Sequence, residues 1–241
     1  SERNDPAACP CPRLRNLFYR RAKRLVFQTG AARDCFPKAI KKKGCVIANP
    51  IKKELPEAYG GERKKTVVAV GRLEEQKNYS LLLEAFGLFG KEYPEYTLHI
   101  YGKGALKEQL EQETQSLGLA SKVVFEGFKT NVLEEIRTAG IYAISSDYEG
   151  ISNAMIEAMA LELPVVATDC PIGGAAFCIE DGVNGLLVPC REKEALAKAL
   201  GRIAGNPDLA KAMGKEAGKV RTRFAEEAIC EEWLALIKEL A

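Results

Sequence analysis

Histidine is nearly absent from this 241-residue chain, which holds one His, one Trp and three Met. With a single imidazole and no CxxC pair, the sequence lacks the ligand sets of ordinary zinc sites, and no metal is expected. Long apolar runs are missing too. No stretch approaches the roughly 18 consecutive apolar residues of a membrane-spanning helix. The opening SERNDPAACPCP has neither the charged end nor the apolar stretch of a signal peptide, so a cytoplasmic protein is expected. Eight cysteines, at 9, 11, 35, 45, 170, 178, 190 and 230, are scattered, and Cys9 and Cys11 stand too close for an ordinary bridge. Reduced thiols are expected rather than a disulfide framework.

The residues present suit a globular protein. Hydrophobic residues make up 46% and charged residues 28%, enough to bury a core, and 21 Gly with 11 Pro imply many turns. The net charge of +2 conceals an asymmetry. Residues 1–65 hold 17 Lys and Arg against 6 Asp and Glu, whereas residues 66–241 hold 18 against 27. A basic segment containing Arg20-Arg21-Ala22-Lys23-Arg24 and Lys41-Lys42-Lys43 is either a solvated face or a surface for an anionic partner. No aromatic stacking set or binding module accompanies it, so no nucleic-acid partner is expected. A peripheral contact with anionic membrane through residues 1–65, at the inner face, remains open.

Along the chain, the pattern predicts a strand at 24–29, a helix at about 30–39 and a second strand at 45–51. The polar stretch KKELPEAYGGERKK then reads as a linker and coincides with the change of charge. A boundary near residue 60 divides residues 1–60 from a larger unit at 61–241. In that unit, strands at 66–71, 96–102, 122–127, 140–145, 164–168 and 185–188 alternate with helices, the first bearing Leu82, Ala85, Phe86 and Phe89. The strands are continuous apolar runs, as expected where helices cover both faces of a parallel sheet. The fold class is therefore α/β, a doubly wound parallel Rossmann-like sheet. Helical stretches at 191–204 and 207–240 end the chain, the second broken near Arg221 to Ala225, with Trp233, Leu234 and Ile237 as its apolar stripe.

Ligands of open parallel sheets bind beyond the carboxyl ends of the strands, so the segment after each strand is the place to look. In VAVGRLEEQKN, Gly71 ends a strand and is followed by Arg72 and Lys77, two cations suited to a diphosphate; the alternative is a solvated loop paired with Glu74 and Glu75. In SSDYEGISNAMIEAMA, a loop bearing Asp147 and Glu149 runs through Gly150 and Ile151 to Ser152 or Asn153 as a helix N-cap. Free backbone N–H groups there suit an anion, and a carboxylate suits sugar hydroxyls. Glu157 lies about one turn inside that helix and is either a ribose acceptor or a solvent-facing residue. The Gly173-Gly174 pair of TDCPIGG permits close backbone approach to a ligand, or forms a plain turn. Gly102-Lys103-Gly104 is too short a glycine motif to signify a dinucleotide, and His99, inside a strand, reads as a core residue.

Taken together, GRLEEQK, FEGF, DYEGISNAMIEAMALELPVVATDCPIGG and DGVNGLLVP resemble the carboxyl-terminal half of a family-four glycosyltransferase of the GT-B architecture. The likeness covers about residues 45–240 and is nearest to bacterial capsule, exopolysaccharide and lipooligosaccharide transferases. Residues 1–60 resemble the tail of the family's amino-terminal acceptor domain plus linker. The resemblance implies that Arg72 and Lys77 hold the donor diphosphate, with Glu149 at the donor sugar as the third catalytic position. It also implies that Glu157 contacts the ribose, that Gly71, Gly150, Ile151, Ser152 and Asn153 line the donor, and that Gly127, Phe128 and Lys129 lie near the base. The expected activity is retaining transfer of a hexose or N-acetylhexosamine from a nucleotide diphosphate sugar, with UDP as the expected nucleotide, to a glycan or lipid-linked acceptor. The nucleotide sugar is a co-substrate, and no cofactor is implied. Ala175-Ala176-Phe177 departs from the PRE that relatives commonly carry. Two other readings stand beside this one, a non-catalytic nucleotide-sugar-binding module and another GT-B enzyme such as an epimerase or phosphorylase.

Overall fold

The computed structural model describes residues 12–240. Cys9, Cys11 and the SERNDP opening lie outside the described residues. The basic segment builds a small unit of α1 (Pro12–Tyr19), β1 (Leu25–Phe27), α2 (Gly30–Asp34), α3 (Lys38–Lys41) and β2 (Gly44–Val46), in which β1 and β2 pair in parallel. The helix expected over 30–39 is two short ones. Pro37 has no N–H to continue the first and instead stands as the N-cap residue of the second. Both strands are also shorter than expected. Beyond Val46 the chain leaves the sheet, and Ile47, Ala48 and Ile51 are buried in a core shared with helices from the far end of the chain.

The larger unit is a six-stranded sheet in the order β5-β4-β3-β6-β7-β8, every pair parallel. Its strands are β3 (Thr66–Val70), β4 (Thr97–Tyr101), β5 (Val123–Gly127), β6 (Ile141–Ile144), β7 (Val165–Asp169) and β8 (Leu186–Pro189). Between them run α4 (Tyr79–Phe89), α5 (Lys107–Ser116), α6 (Val132–Ile136), α7 (Asn153–Ala160) and α8 (Gly174–Cys178). The chain closes with α9 (Lys193–Ala204), α10 (Pro207–Ala217), α11 (Val220–Arg223) and α12 (Glu226–Leu240). The apolar runs of the strands serve two cores because successive side chains point to opposite faces. Val67 and Ala69 join Leu82, Phe86 and Leu200 on one face, while Val68 joins Met155, Ile156 and Phe224 on the other. Each fully buried side chain of this size contributes roughly 2 kcal/mol.

The last helical stretch departs from expectation. The break expected near Arg221 to Ala225 is present at Phe224, but a further one after Ala217 makes three helices. The face of α12 that packs is Ile229 and Leu236, whereas Trp233, Leu234 and Ile237 are all more than 40% exposed. A seven-residue separation places Ile229 and Leu236 on one side of the helix; Trp233 borders that side and Ile237 lies further round, both left open on one flank, while Leu234 points well away from it. Arg63, just before β3, ties the segment after α6 to the segment after α7. Its guanidinium donates to the carbonyls of Arg137 and Ala139 before β6 and of Leu161 and Glu162 before β7.

Candidate functional site

A ligand crevice opens in a doubly wound sheet where the strand order reverses. Here that point lies between β3 and β6, since the chain runs outward from β3 to β4 and β5 and then returns to β3's other side. The turn after β3 and the loop after β6 therefore face each other. They are laced by hydrogen bonds: the Asp147 N–H donates to the Gln76 carbonyl at 2.9 Å, and Ser145 Oγ to the Lys77 carbonyl at 2.8 Å. Asn78, left-handed at φ 44°, caps α4 through Oδ1 and donates from Nδ2 to Asp147 at 2.9 Å. Arg191 Nη2 donates to the other oxygen of Asp147 at 2.8 Å.

At the centre of this crevice, the Lys77 ammonium pairs with the Glu149 carboxylate, both side chains largely buried. Ser146 Oγ donates to the same carboxylate at 3.2 Å. Space for the lysine comes from Gly71. A methyl group there would lie 2.9 Å from the Tyr79 hydroxyl and 3.2 Å from Lys77 Cε. Glu157, on α7, is also buried, with Oε1 at 3.4 Å from Lys52 Nζ. The two glutamates act on one buried phenol: burial, then the charges of Tyr79, Glu157 and Glu149, push the Tyr142 pKa well up. Tyr142 accordingly stays a neutral donor, and its hydroxyl reaches the Val70 carbonyl at 3.5 Å. Tyr79 is likewise pushed up, by burial and by Glu149.

The loop after β7 supports Glu149 from below. The Glu149 N–H donates to the Pro171 carbonyl, and a methyl on Gly174 would meet the Gly150 carbonyl oxygen at 1.7 Å. The close approach expected of Gly173-Gly174 is thus made to protein backbone at Gly174, which also starts α8. Gly102 and Gly104 do the same work on the other side. Methyl groups on them would meet the carbonyls of Gly71 and Leu73 at 1.8 and 2.3 Å. The small basic unit closes on the same loop: Thr29, after β1, caps α2 and donates from Oγ1 to the Ile172 carbonyl at 2.5 Å.

The remaining expected residues surround this centre unevenly. Arg72 does not converge with Lys77; its guanidinium faces Glu74 at 3.0 Å and is 71% exposed. Ser152 stands at the N-cap of α7 without a side-chain bond, so the first N–H groups of that helix are uncapped, and Ile151 beside it is buried. Asn153 is exposed at the first helical position. At the end of β5, Gly127 is left-handed at φ 71° and turns the chain so that Phe128 is 65% exposed, with Lys103 Nζ 5.4 Å from its ring centroid. Lys129 follows, half-buried. His99 is not fully enclosed; it is half-buried with Nδ1 2.8 Å from Glu126 and Nε2 3.1 Å from Thr97. Lys52, Tyr79, Tyr142, Ser146 and Thr29 also belong to this centre, and sequence reasoning does not single them out. Thr29 has a legible signal, because it is the last residue of the strand expected at 24–29, where ligand-side groups are sought.

Comparisons with known proteins bear on the family and the fold. Residues 51–220 match the family model described as glycosyl transferases group 1. The chain belongs to this family. It is 33% identical over 180 residues to an alpha-1,4-N-acetyl-D-galactosaminyltransferase of Campylobacter jejuni, a match covering 74% of this chain and 49% of that protein. It is 34% identical over 177 residues to an exopolysaccharide phosphotransferase of Streptomyces coelicolor, covering 73% of this chain and 19% of the relative. Among solved structures, a mutant of S. aureus TarM in complex with Fondaparinux, alpha-GlcNAc-glycerol and UDP superposes with a TM-score of 0.86 at 26% identity. That match covers 98% of this chain and 48% of the other. The chain thus spans about half or less of the length of these relatives. The GT-B likeness and the doubly wound sheet expected from the sequence are both present. No helix among the described residues is long and apolar enough to cross a membrane.

Proposed function

We propose that this chain is the donor-binding half of a retaining glycosyltransferase of surface-polysaccharide synthesis. It takes a UDP-linked hexose or N-acetylhexosamine for transfer to a glycan or lipid-linked acceptor. The observation that carries the reading is the pair of glutamates, Glu149 largely buried and Glu157 buried, each with its own lysine, at the switch point of the sheet. A diphosphate entering this crevice finds Lys77 and, after rotation away from Glu74, Arg72, so that charge developing on the leaving diphosphate is offset without a metal. Released by Lys77, Glu149 accepts from hydroxyls of the donor sugar, while Glu157 accepts from the ribose. The uncapped amides from Gly150 to Asn153 add N–H donors and the positive end of α7. Gly127, Phe128 and Lys129 lie at the carboxyl end of β5, in reach of a base. The UDP complex of a structural relative supports the choice of nucleotide. Residues 1–60 belong, on this reading, to the acceptor-side domain and its linker, and 61–241 to the donor domain.

The test is isothermal titration of UDP, GDP and ADP into the chain and into Arg72→Ala and Glu157→Ala. Selective binding of UDP, weakened at least about tenfold in both variants, is the expected result. Absence of binding by any of the three nucleotides overturns the reading. A second reading, a binding module without transfer, draws on Ala175 and Ala176, which place no charge at the start of α8. Donor hydrolysis or transfer by a protein that includes an acceptor-side half separates the two.

The acceptor side carries a further expectation. Arg20, Arg21, Lys23, Lys38 and Lys42 are exposed in the basic unit, and α1 presents Leu14, Leu17 and Phe18, each more than half exposed. We propose that this face meets anionic headgroups from the cytoplasmic side. Co-sedimentation with anionic vesicles at low salt, lost at high salt, is the supporting result; failure to sediment at low salt removes it.

A further inference from the structure

Glu157 is buried, with its side chain 9% exposed, yet no hydrogen bond from a described residue reaches its carboxylate. Its one charged neighbour within 4 Å among the described residues is Lys52, whose ammonium lies 3.4 Å from Oε1. At that distance the contact is an ion pair with poor hydrogen-bond geometry, so the carboxylate keeps its acceptor sites for a ligand. Lys52 reaches it from a segment that is otherwise pinned. Ile51 is buried and donates its N–H to the Phe224 carbonyl at 2.8 Å, and the Arg221 guanidinium holds the Pro56 carbonyl. The lysine side chain itself remains 64% exposed.

The crevice therefore contains two carboxylates, Glu149 and Glu157, both close enough to act on Tyr142. Unmatched, they repel any ligand that carries two or more negative charges. Lys77 offsets the first and Lys52 the second. We infer that Lys52 is a further cation of the donor site: it neutralises Glu157 while that carboxylate accepts from the ribose hydroxyls, and it adds positive charge for the diphosphate. This inference rests on the donor-site reading above. The sequence around it, NPIKKELPE, carries no sign of such a role, since either lysine could as well be solvated.

The test is titration of UMP and UDP into the chain, Lys52→Met, Lys52→Arg and Glu157→Gln, at low and at moderate salt. Lys52→Met is expected to weaken UDP about fivefold to twentyfold and UMP less, and to reduce the salt dependence of UDP binding. Lys52→Arg is expected to stay within about threefold of the parent, because the charge is kept. UDP affinity within twofold of the parent in Lys52→Met overturns the inference, as does an equal loss for UMP and UDP, which marks only a disturbed segment. Tighter UDP binding in Lys52→Met also overturns it, by showing that the lysine competes with the ligand. Failure of the underlying reading looks different. Glu157→Gln then binds UDP as the parent does, or the parent binds neither nucleotide, which removes both conclusions together.

Discussion

Gly71 shows how a single missing side chain sets the chemistry of the crevice. It ends β3 and donates its N–H to the Tyr101 carbonyl at 2.9 Å, while its open face receives the stem of Lys77 and the buried hydroxyl of Tyr79. Adding one methyl forces one of these to move, and Tyr79 is enclosed on all sides. Gly71→Ala is therefore expected to cost about 1–3 kcal/mol of stability, the range for inserting a methyl into a packed site. It is also expected to displace the Lys77 ammonium from Glu149 and weaken nucleotide binding. Urea unfolding and titration of UDP check the two effects. An unchanged midpoint with unchanged affinity overturns this account of Gly71. The same scale explains Arg72, whose guanidinium has no crevice partner in the free protein and pairs with a neighbour two residues away, a pair of little energetic weight at 71% exposure.

At the scale of elements, the site exists because loops from separate strands touch backbone to backbone. Gly174 admits the Gly150 carbonyl at a place where a methyl would overlap it, and Gly102 does so for Gly71. Gly174→Ala is expected to destabilise by about 3 kcal/mol and to push Glu149 out of line, since the obstructing atom is main chain and cannot rotate aside. A thermal melt within 2 °C of the parent is the contrary result. Arg63 is the second joint between elements. Removing its guanidinium, as in Arg63→Met, leaves four carbonyls without a donor and is expected to cost about 2–4 kcal/mol, measured by urea unfolding. An urea midpoint equal to the parent's rejects this role.

What the sequence makes legible at this scale follows from period and strand ends. Val67, Val68 and Ala69 as a continuous apolar run announce a strand covered on both faces, and Lys77 and Glu149 stand where strand-end reasoning places ligand groups. Contacts between distant segments were not legible. Nothing in TDCPIGG distinguishes a glycine that admits a ligand from one that admits Gly150, and Trp233, Leu234 and Ile237 read as a packing stripe although Ile229 and Leu236 are the residues that pack. A helical period gives two neighbouring apolar faces on α12, and only the tertiary partner selects between them.

For the whole molecule, burial of neutral acids links stability to pH. Burial pushes the Cys178 thiol up to about 12, partly countered by Arg223, and pushes Cys170 up to about 12 with help from Cys190 and Glu149. Tyr142 and Tyr79 shift in the same direction. In each case the folded pKa lies above the unfolded one, so the unfolded chain loses its protons first as pH rises. Below about 9, the ordinary thiol value, both states are protonated and the full stability is present; between about 9 and 12 it is progressively lost. Each such group reduces stability by up to about 1.4 kcal/mol per pH unit across that window. The urea midpoint is accordingly expected to be level from pH 7 to 8.5 and to fall steeply by pH 10.5, with a shallower fall in Cys178→Ala, whatever the cost of that substitution at neutral pH. The slope, rather than the absolute midpoint, is the informative quantity, because the cavity left by the thiol is the same at every pH. A Cys178→Ala slope equal to the parent's shows that this thiol ionises as readily folded as unfolded, and that the core around α8 is open to water.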